Sequence, residues 1–154
     1  MKKKGLMIML IILIVICFLI ILLNKKEKFY LEDKFYGSNE LITIDGKELE
    51  NLINSKDSFG VFVYQTMCAT STDFSEILKE FQKDNLISFY MISFSDIKDV
   101  KQCNYLKYYP SFIIYKEGKM VDYLDANSNS DIKFYKNKDE FKKWITQYIE
   151  IKDE

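Results

Sequence analysis

Cys68 is the residue in this chain best placed to do chemistry. It follows the apolar stretch Phe59-Gly60-Val61-Phe62-Val63-Tyr64. It also opens Cys68-Ala69-Thr70-Ser71, which runs into an amphipathic segment with Phe74, Ile77, Leu78 and Phe81 at i, i+3, i+4 and i+7. That spacing predicts a helix with the thiol at its N-terminus, where unpaired backbone N–H groups and the helix dipole favour the thiolate. Ser71, three residues on, stands close enough to donate a hydrogen bond to the sulfur. A thiolate so placed attacks a disulfide sulfur and forms a mixed disulfide. Ser71 is not a thiol, so the mixed disulfide can be released only by an outside thiol or by a second cysteine of the substrate. Of the other two cysteines, Cys17 lies in an apolar run. Cys103, the one other candidate resolving thiol, sits in a connection seven residues before Pro110, near the Cys68 end of the fold but too far for a disulfide without rearrangement, and reads rather as a small, half-buried apolar residue.

The rest of the composition removes the rival chemistries. All 22 basic residues are lysine, and the chain has neither arginine nor histidine. Ser-His-Asp triads, Cys-His dyads and histidine metal sites are therefore excluded, as are bidentate arginine clamps on phosphate or carboxylate. A formal charge of −1 without a basic patch speaks against nucleic-acid binding. The series Asp125, Asn127, Asn129, Asp131 resembles the first half of a calcium loop. The sixth position is Ser130 rather than glycine and the twelfth is Lys136 rather than glutamate, so it reads as a polar loop. No metal site and no cofactor are read from the sequence.

Several elements must position Cys68. Leu41-Ile42-Thr43-Ile44 is a short strand ended by the turn pair Asp45-Gly46, and Leu49, Leu52 and Ile53 fall at helical spacing within 48–54. Phe59–Tyr64 is apolar on both faces, as expected of a buried central strand. Residues 87–94 form a second such strand, and 95–107 a short polar connection. Pro110, the only proline, opens a third core strand through Tyr115. Glu117-Gly118-Lys119 turns the chain back into Met120–Leu124, and a last helix over 138–149 carries Phe141, Trp144, Ile145 and Tyr148 on one face. Strands alternating with helices imply parallel pairing with right-handed crossovers, and the hairpin adds an antiparallel edge. The fold class is α/β, with a central mixed sheet flanked by helices.

The N-terminus is of a different kind. Lys2-Lys3-Lys4 precedes an uncharged run from Gly5 to Leu23, and about 20 apolar residues suffice to span a bilayer as a helix. No small-residue cleavage pattern precedes Asn24, and Ile16 stands where a lipidated Cys17 would need a small residue, so a retained single-pass anchor is expected. The predicted organisation is a cytoplasmic tail at 1–5, an anchor at 6–23, a juxtamembrane linker at 24–40 and a domain at 41–151. A short tail with a C-terminal domain places the domain outside the cytoplasm, where disulfide chemistry is possible. With the three N-terminal lysines set apart, 19 lysines face 23 acids, and the exterior part is mildly acidic. The lysine-rich, isoleucine-rich and proline-poor composition suggests a low-GC bacterium.

The order of these features resembles the thioredoxin-like superfamily over roughly 41–149. Cys68-Ala69-Thr70-Ser71 stands in the C-x-x-C position, here C-x-x-S. Tyr109-Pro110-Ser111 stands where that superfamily has a cis-proline before the third core strand. Lys116-Glu117-Gly118-Lys119 matches its hairpin turn, and Trp144 lies in its C-terminal helix. More narrowly, the chain resembles membrane-anchored thioredoxin-like proteins of low-GC Gram-positive bacteria, including accessory proteins of bacteriocin transport or maturation. The resemblance implies a thioredoxin-like fold, with Cys68 and Ser71 as reactive positions. It further implies that Met67, Tyr109 and Pro110 receive a cysteine-containing protein or peptide, as a strand added beside the backbone of Tyr109. It implies thiol–disulfide exchange or isomerisation through a single cysteine. Three departures point to an alternative, a non-catalytic module that holds a peptide or partner protein at the membrane. They are Ser71 for the second cysteine, Phe62 for a buried aspartate six residues before Cys68, and Met67 for the usual tryptophan.

Overall fold

The apolar character of Phe59–Tyr64 on both faces makes this segment (β2) the middle strand of five. In the computed structural model, which describes residues 7, 12–16 and 27–152, the sheet runs in the order β1-β3-β2-β4-β5. The strands are β1 (Leu41–Thr43), β2 (Phe59–Tyr64), β3 (Phe89–Ser93), β4 (Ser111–Lys116) and β5 (Lys119–Asp125). β3 lies parallel to both β1 and β2, whereas β4 is antiparallel to β2 and to β5. This is the mixed sheet expected, with its hairpin at one edge. Between the strands and after them, among the described residues from 27 on, lie the α-helices α1 (Gly46–Asn54), α2 (Ala69–Asn85), α3 (Phe94–Ile97) and α4 (Lys138–Ile145).

Side-chain alternation along β2 builds two cores. On one face Phe62 meets Phe74 of α2 edge-on at 5.7 Å, and Phe112 of β4 meets Phe141 and Trp144 of α4. Gly60 lies under this aromatic layer, where an added Cβ would stand 2.8 Å from Phe112 and 2.9 Å from Phe89. The bulk of the neighbouring rings is what requires glycine there. On the other face Phe59 stacks on Tyr115 at 4.7 Å and meets Tyr90 edge-on. Phe35 and Cys103 close over this second layer.

Local chemistry sets the element ends. Asp45 accepts from the Glu48 N–H at 2.8 Å while Glu48 accepts from the Asp45 N–H at 2.9 Å, a reciprocal cap that starts α1. The hairpin turn passes through Gly118 at φ +71°, and an added Cβ there would meet the Ile53 carbonyl oxygen at 2.1 Å.

Two boundaries differ from those expected. The described part of the expected linker belongs to the domain. Phe29, Leu31 and Phe35 are buried, Phe29 pairs with Ile149 and Tyr36 with Ile87, and a 3-10 turn covers Asp33–Phe35. These aromatics are scattered among charges without helical or strand period, because they plug the lower end of the sheet rather than line one face of an element. The last helix also stops at Ile145 rather than Ile149. The Phe29 N–H donates to the Tyr148 carbonyl at 2.9 Å and the Glu150 N–H to the Phe29 carbonyl at 2.8 Å, which draws 148–150 out of the helix and into a bridge. The expected tail at 1–5, most of the expected anchor at 6–23, and Cys17 lie outside the described residues. Among the described residues no helix is long and apolar enough to cross a membrane.

Candidate functional site

The site forms where β2 gives way to α2. Met67 takes the left-handed conformation, φ +58°, and its side chain is fully exposed. Such a backbone costs a non-glycine residue on the order of 1–2 kcal/mol, and it turns the chain so that Cys68 becomes the N-cap of a 17-residue helix. The Cys68 carbonyl accepts the Thr72 N–H at 3.1 Å and the Thr72 hydroxyl at 3.3 Å, which locks this first turn.

The Cys68 sulfur is partly exposed, and the Thr70 hydroxyl lies 3.0 Å from it. That contact is the chief reason the thiol titrates below its ordinary value. The Ser71 backbone N–H and hydroxyl add to the effect, and slight burial opposes it. The main donor is thus Thr70, where the sequence pointed to Ser71. Ser71 is only 4% exposed, and its oxygen accepts the Gln65 N–H at 3.1 Å. It ties the segment between β2 and Cys68 to the start of α2. Thr70 was legible only as one of several polar residues at a helix start. Its selection over Ser71 depends on the turn through Met67 that sets Cys68 at the N-cap.

Tyr109-Pro110 is cis, as the resemblance implied. Antiparallel pairing of Ser111 with Val63 brings Pro110 to the sheet end that carries Cys68. Pro110 is buried, and its carbonyl accepts the Tyr135 hydroxyl at 2.9 Å. The Ser111 hydroxyl donates to the Tyr108 carbonyl at 2.8 Å. Tyr109 is 38% exposed, with its ring 4.9 Å from that of Phe94. Met67, Cys68, Tyr109 and Pro110 therefore share one end of the sheet, with Ser71 buried beneath. Tyr135 and Phe94 were not singled out from the sequence, because each reaches the site through tertiary packing and not through a local pattern.

Phe62, where the resemblance has a buried acid, is a core ring between Phe74 and Tyr64. No carboxylate is available beneath the thiol at that position. Cys103 is more deeply placed than expected. It is buried, its sulfur lies 3.3 Å from the Tyr115 hydroxyl, and burial pushes its thiol up, opposite to Cys68. Both cysteines are free thiols. In the polar loop the Asp125 carboxylate accepts the Asn127 N–H at 2.8 Å and the Asp131 carboxylate accepts the Asp125 N–H at 3.1 Å, contacts that shape a turn.

No family model matches the chain, and no curated protein matches it either. Solved structures do. A thioredoxin variant from Halobacterium salinarum aligns with a TM-score of 0.57 at 14% identity, over 76% of this chain and 97% of its own. Thioredoxin from Fasciola hepatica aligns at 0.53 and 18% identity, over 70% and 99%. Thioredoxin from Trypanosoma brucei brucei aligns at 0.52 and 10% identity, over 70% and 93%. The strand order, the helix-capping cysteine, the cis-proline and these alignments agree: the chain has the thioredoxin fold.

Proposed function

We propose that this protein is a membrane-anchored, extracytoplasmic thioredoxin-like protein that exchanges or isomerises disulfides through Cys68 alone. The observation that carries the reading is the partly exposed Cys68 thiol at the N-cap of α2, held below its ordinary titration range by Thr70. A depressed thiol is more fully ionised at neutral pH, and the thiolate is the attacking species.

The Cys68 thiolate attacks one sulfur of a substrate disulfide. A Cys68–substrate S–S bond forms, the substrate S–S bond breaks, and the departing thiolate takes a proton from water. A second thiol then attacks the mixed disulfide and restores the Cys68 thiolate. If that thiol belongs to the same substrate, the result is isomerisation with no net redox change. If it is a low-molecular-weight thiol, that thiol is left bonded to the substrate sulfur as a new mixed disulfide while the other substrate sulfur stays a thiol, and a second small thiol completes the reduction by leaving as the small-thiol disulfide. Ser71 cannot serve as the second thiol. The exposed Met67 and Tyr109 supply apolar contact for an incoming polypeptide, and the backbone of Tyr109 beside cis-Pro110 is the edge it would pair with as an added strand.

The test uses purified protein and a peptide whose single cysteine is held in a disulfide with thionitrobenzoate, so that the peptide carries no second thiol and the departing thiolate attacks poorly. The wild type should accumulate a mixed disulfide at Cys68 that persists until a small thiol is added, and Ser71→Cys should release the peptide unaided. A Cys68 that forms no adduct with the peptide at neutral pH overturns the reading.

One observation favours a second reading, a module that holds a partner without exchange. Phe62 fills the place of the buried acid with core packing. Under that reading Cys68→Ala leaves partner capture intact.

A further inference from the structure

The chain enters the domain at the pole opposite Cys68. β2 runs from Phe59 at one end of the sheet to Tyr64 and Cys68 at the other. Ser58, just before β2, is bonded twice to Glu32: the Glu32 N–H donates to the Ser58 carbonyl at 3.0 Å, and the Ser58 N–H donates to the Glu32 carboxylate at 3.1 Å. Lys116, at the same end of the sheet on β4, places its ammonium 5.3 Å over the Phe29 ring. Phe29 is itself fastened by two backbone hydrogen bonds to 148–150. Residues 29–32 are therefore fixed to the far pole by backbone bonds as well as by side chains.

This placement bears on the anchor. Five residues, Asn24 to Lys28, separate the apolar run from Phe29. Even fully extended they reach no more than about 18 Å. Six strand residues of β2 separate the two poles by about 17–20 Å along the sheet. A tether this short keeps the Phe29 pole within about 18 Å of the headgroup layer. The exposed Tyr30 and Lys28 at that pole are residue types that favour this layer.

We propose that the anchored domain stands on its Phe29 pole and directs Cys68, Met67 and Tyr109 away from its own membrane. The partner is then a disulfide on a polypeptide that stands clear of the lipid surface, not a thiol at the bilayer interface. The inference rests on the anchor reading made under the proposed function, and the experiment reads the two separately.

Full-length protein lacking Cys17 and Cys103 (Cys17→Ser, Cys103→Ala) is reconstituted in phosphatidylcholine vesicles. A fluorophore is attached to Cys68 or, in a Cys68→Ser background, to Tyr30→Cys or Lys28→Cys. Flotation of the vesicles reports the anchor. Quenching by lipids bearing a headgroup nitroxide, which acts near contact, reports orientation. The probes at 28 and 30 should lose most of their fluorescence while the probe at Cys68 keeps most of its own. If the protein floats and the Cys68 probe is quenched as strongly as the other two, the orientation is wrong. If the protein does not float, the anchor reading fails and takes the orientation with it. Two pole positions are used so that a fold defect in one variant does not decide the result.

Discussion

Two neighbouring hydroxyls at the site should separate cleanly under mutation. Thr70 is exposed and its hydroxyl serves the sulfur, whereas Ser71 is buried and its oxygen serves a backbone N–H. Thr70→Val keeps the β-branched shape and removes the main hydrogen bond that holds the Cys68 thiol down. At an exposed position it should change stability by no more than about 0.5 kcal/mol. Ser71→Ala strips the acceptor from the Gln65 N–H. An unsatisfied buried donor costs about 1–3 kcal/mol, which lowers the folding equilibrium constant roughly 5- to 150-fold. The Ser71 backbone N–H remains, so the thiol should move less than in Thr70→Val. Urea unfolding reads the first quantity. The pH midpoint of iodoacetamide alkylation reads the second, and is preferable to the rate at one pH because intrinsic nucleophilicity falls as a thiol becomes more acidic. The expected pattern is a raised midpoint with unchanged stability for Thr70→Val, and a smaller rise with lowered stability for Ser71→Ala. A larger midpoint shift in Ser71→Ala than in Thr70→Val would refute the assignment of donors.

Other consequences follow from the packing. Tyr135→Phe leaves the Pro110 carbonyl without its donor and should cost about 1–3 kcal/mol in urea unfolding, with the Cys68 alkylation midpoint unmoved. Phe35 is fully buried against Tyr90, so Phe35→Ala should cost about 3–5 kcal/mol; a change near zero would return 27–40 to the status of a linker. Burial raises the titration of Cys103, Tyr105 and Tyr115. A raised folded-state value gives stability that is complete below the unfolded value and lost as pH rises. Urea midpoints should therefore fall from about pH 8.5, where free thiols ionise, and further above about pH 10, where free tyrosines do. Midpoints that stay flat to pH 11 would contradict the buried cluster.

The central strands and the Cys68 helix were legible because each imposes a period. Phe59–Tyr64 is apolar on both faces, and Phe74, Ile77, Leu78 and Phe81 repeat as a helix must. The positions of Cys68 and Pro110 followed from the elements they join. What was not legible depends on contacts distant in sequence. Phe29, Leu31 and Phe35 lie among charges and become core only because the sheet's lower end needs covering. The bridge between Phe29 and Ile149, which shortens the last helix, pairs residues 120 positions apart. Ser71 and Thr70 are both polar residues at a helix start. Only the turn through Met67, with its positive φ, decides which faces the sulfur and which faces Gln65.

The central claim is that Cys68 forms a covalent bond to substrate which this chain cannot break by itself. Its most direct test is mass spectrometry of mixed disulfides on Cys68, isolated from acid-quenched and alkylated cells that produce the full-length protein. The account predicts adducts with a defined set of cysteine-containing polypeptides, all absent in Cys68→Ala and depleted in Ser71→Cys, where an intramolecular disulfide releases them. Recovery of Cys68 entirely as the alkylated free thiol in wild-type cells, with the biological effect of the protein preserved in Cys68→Ala, would contradict it.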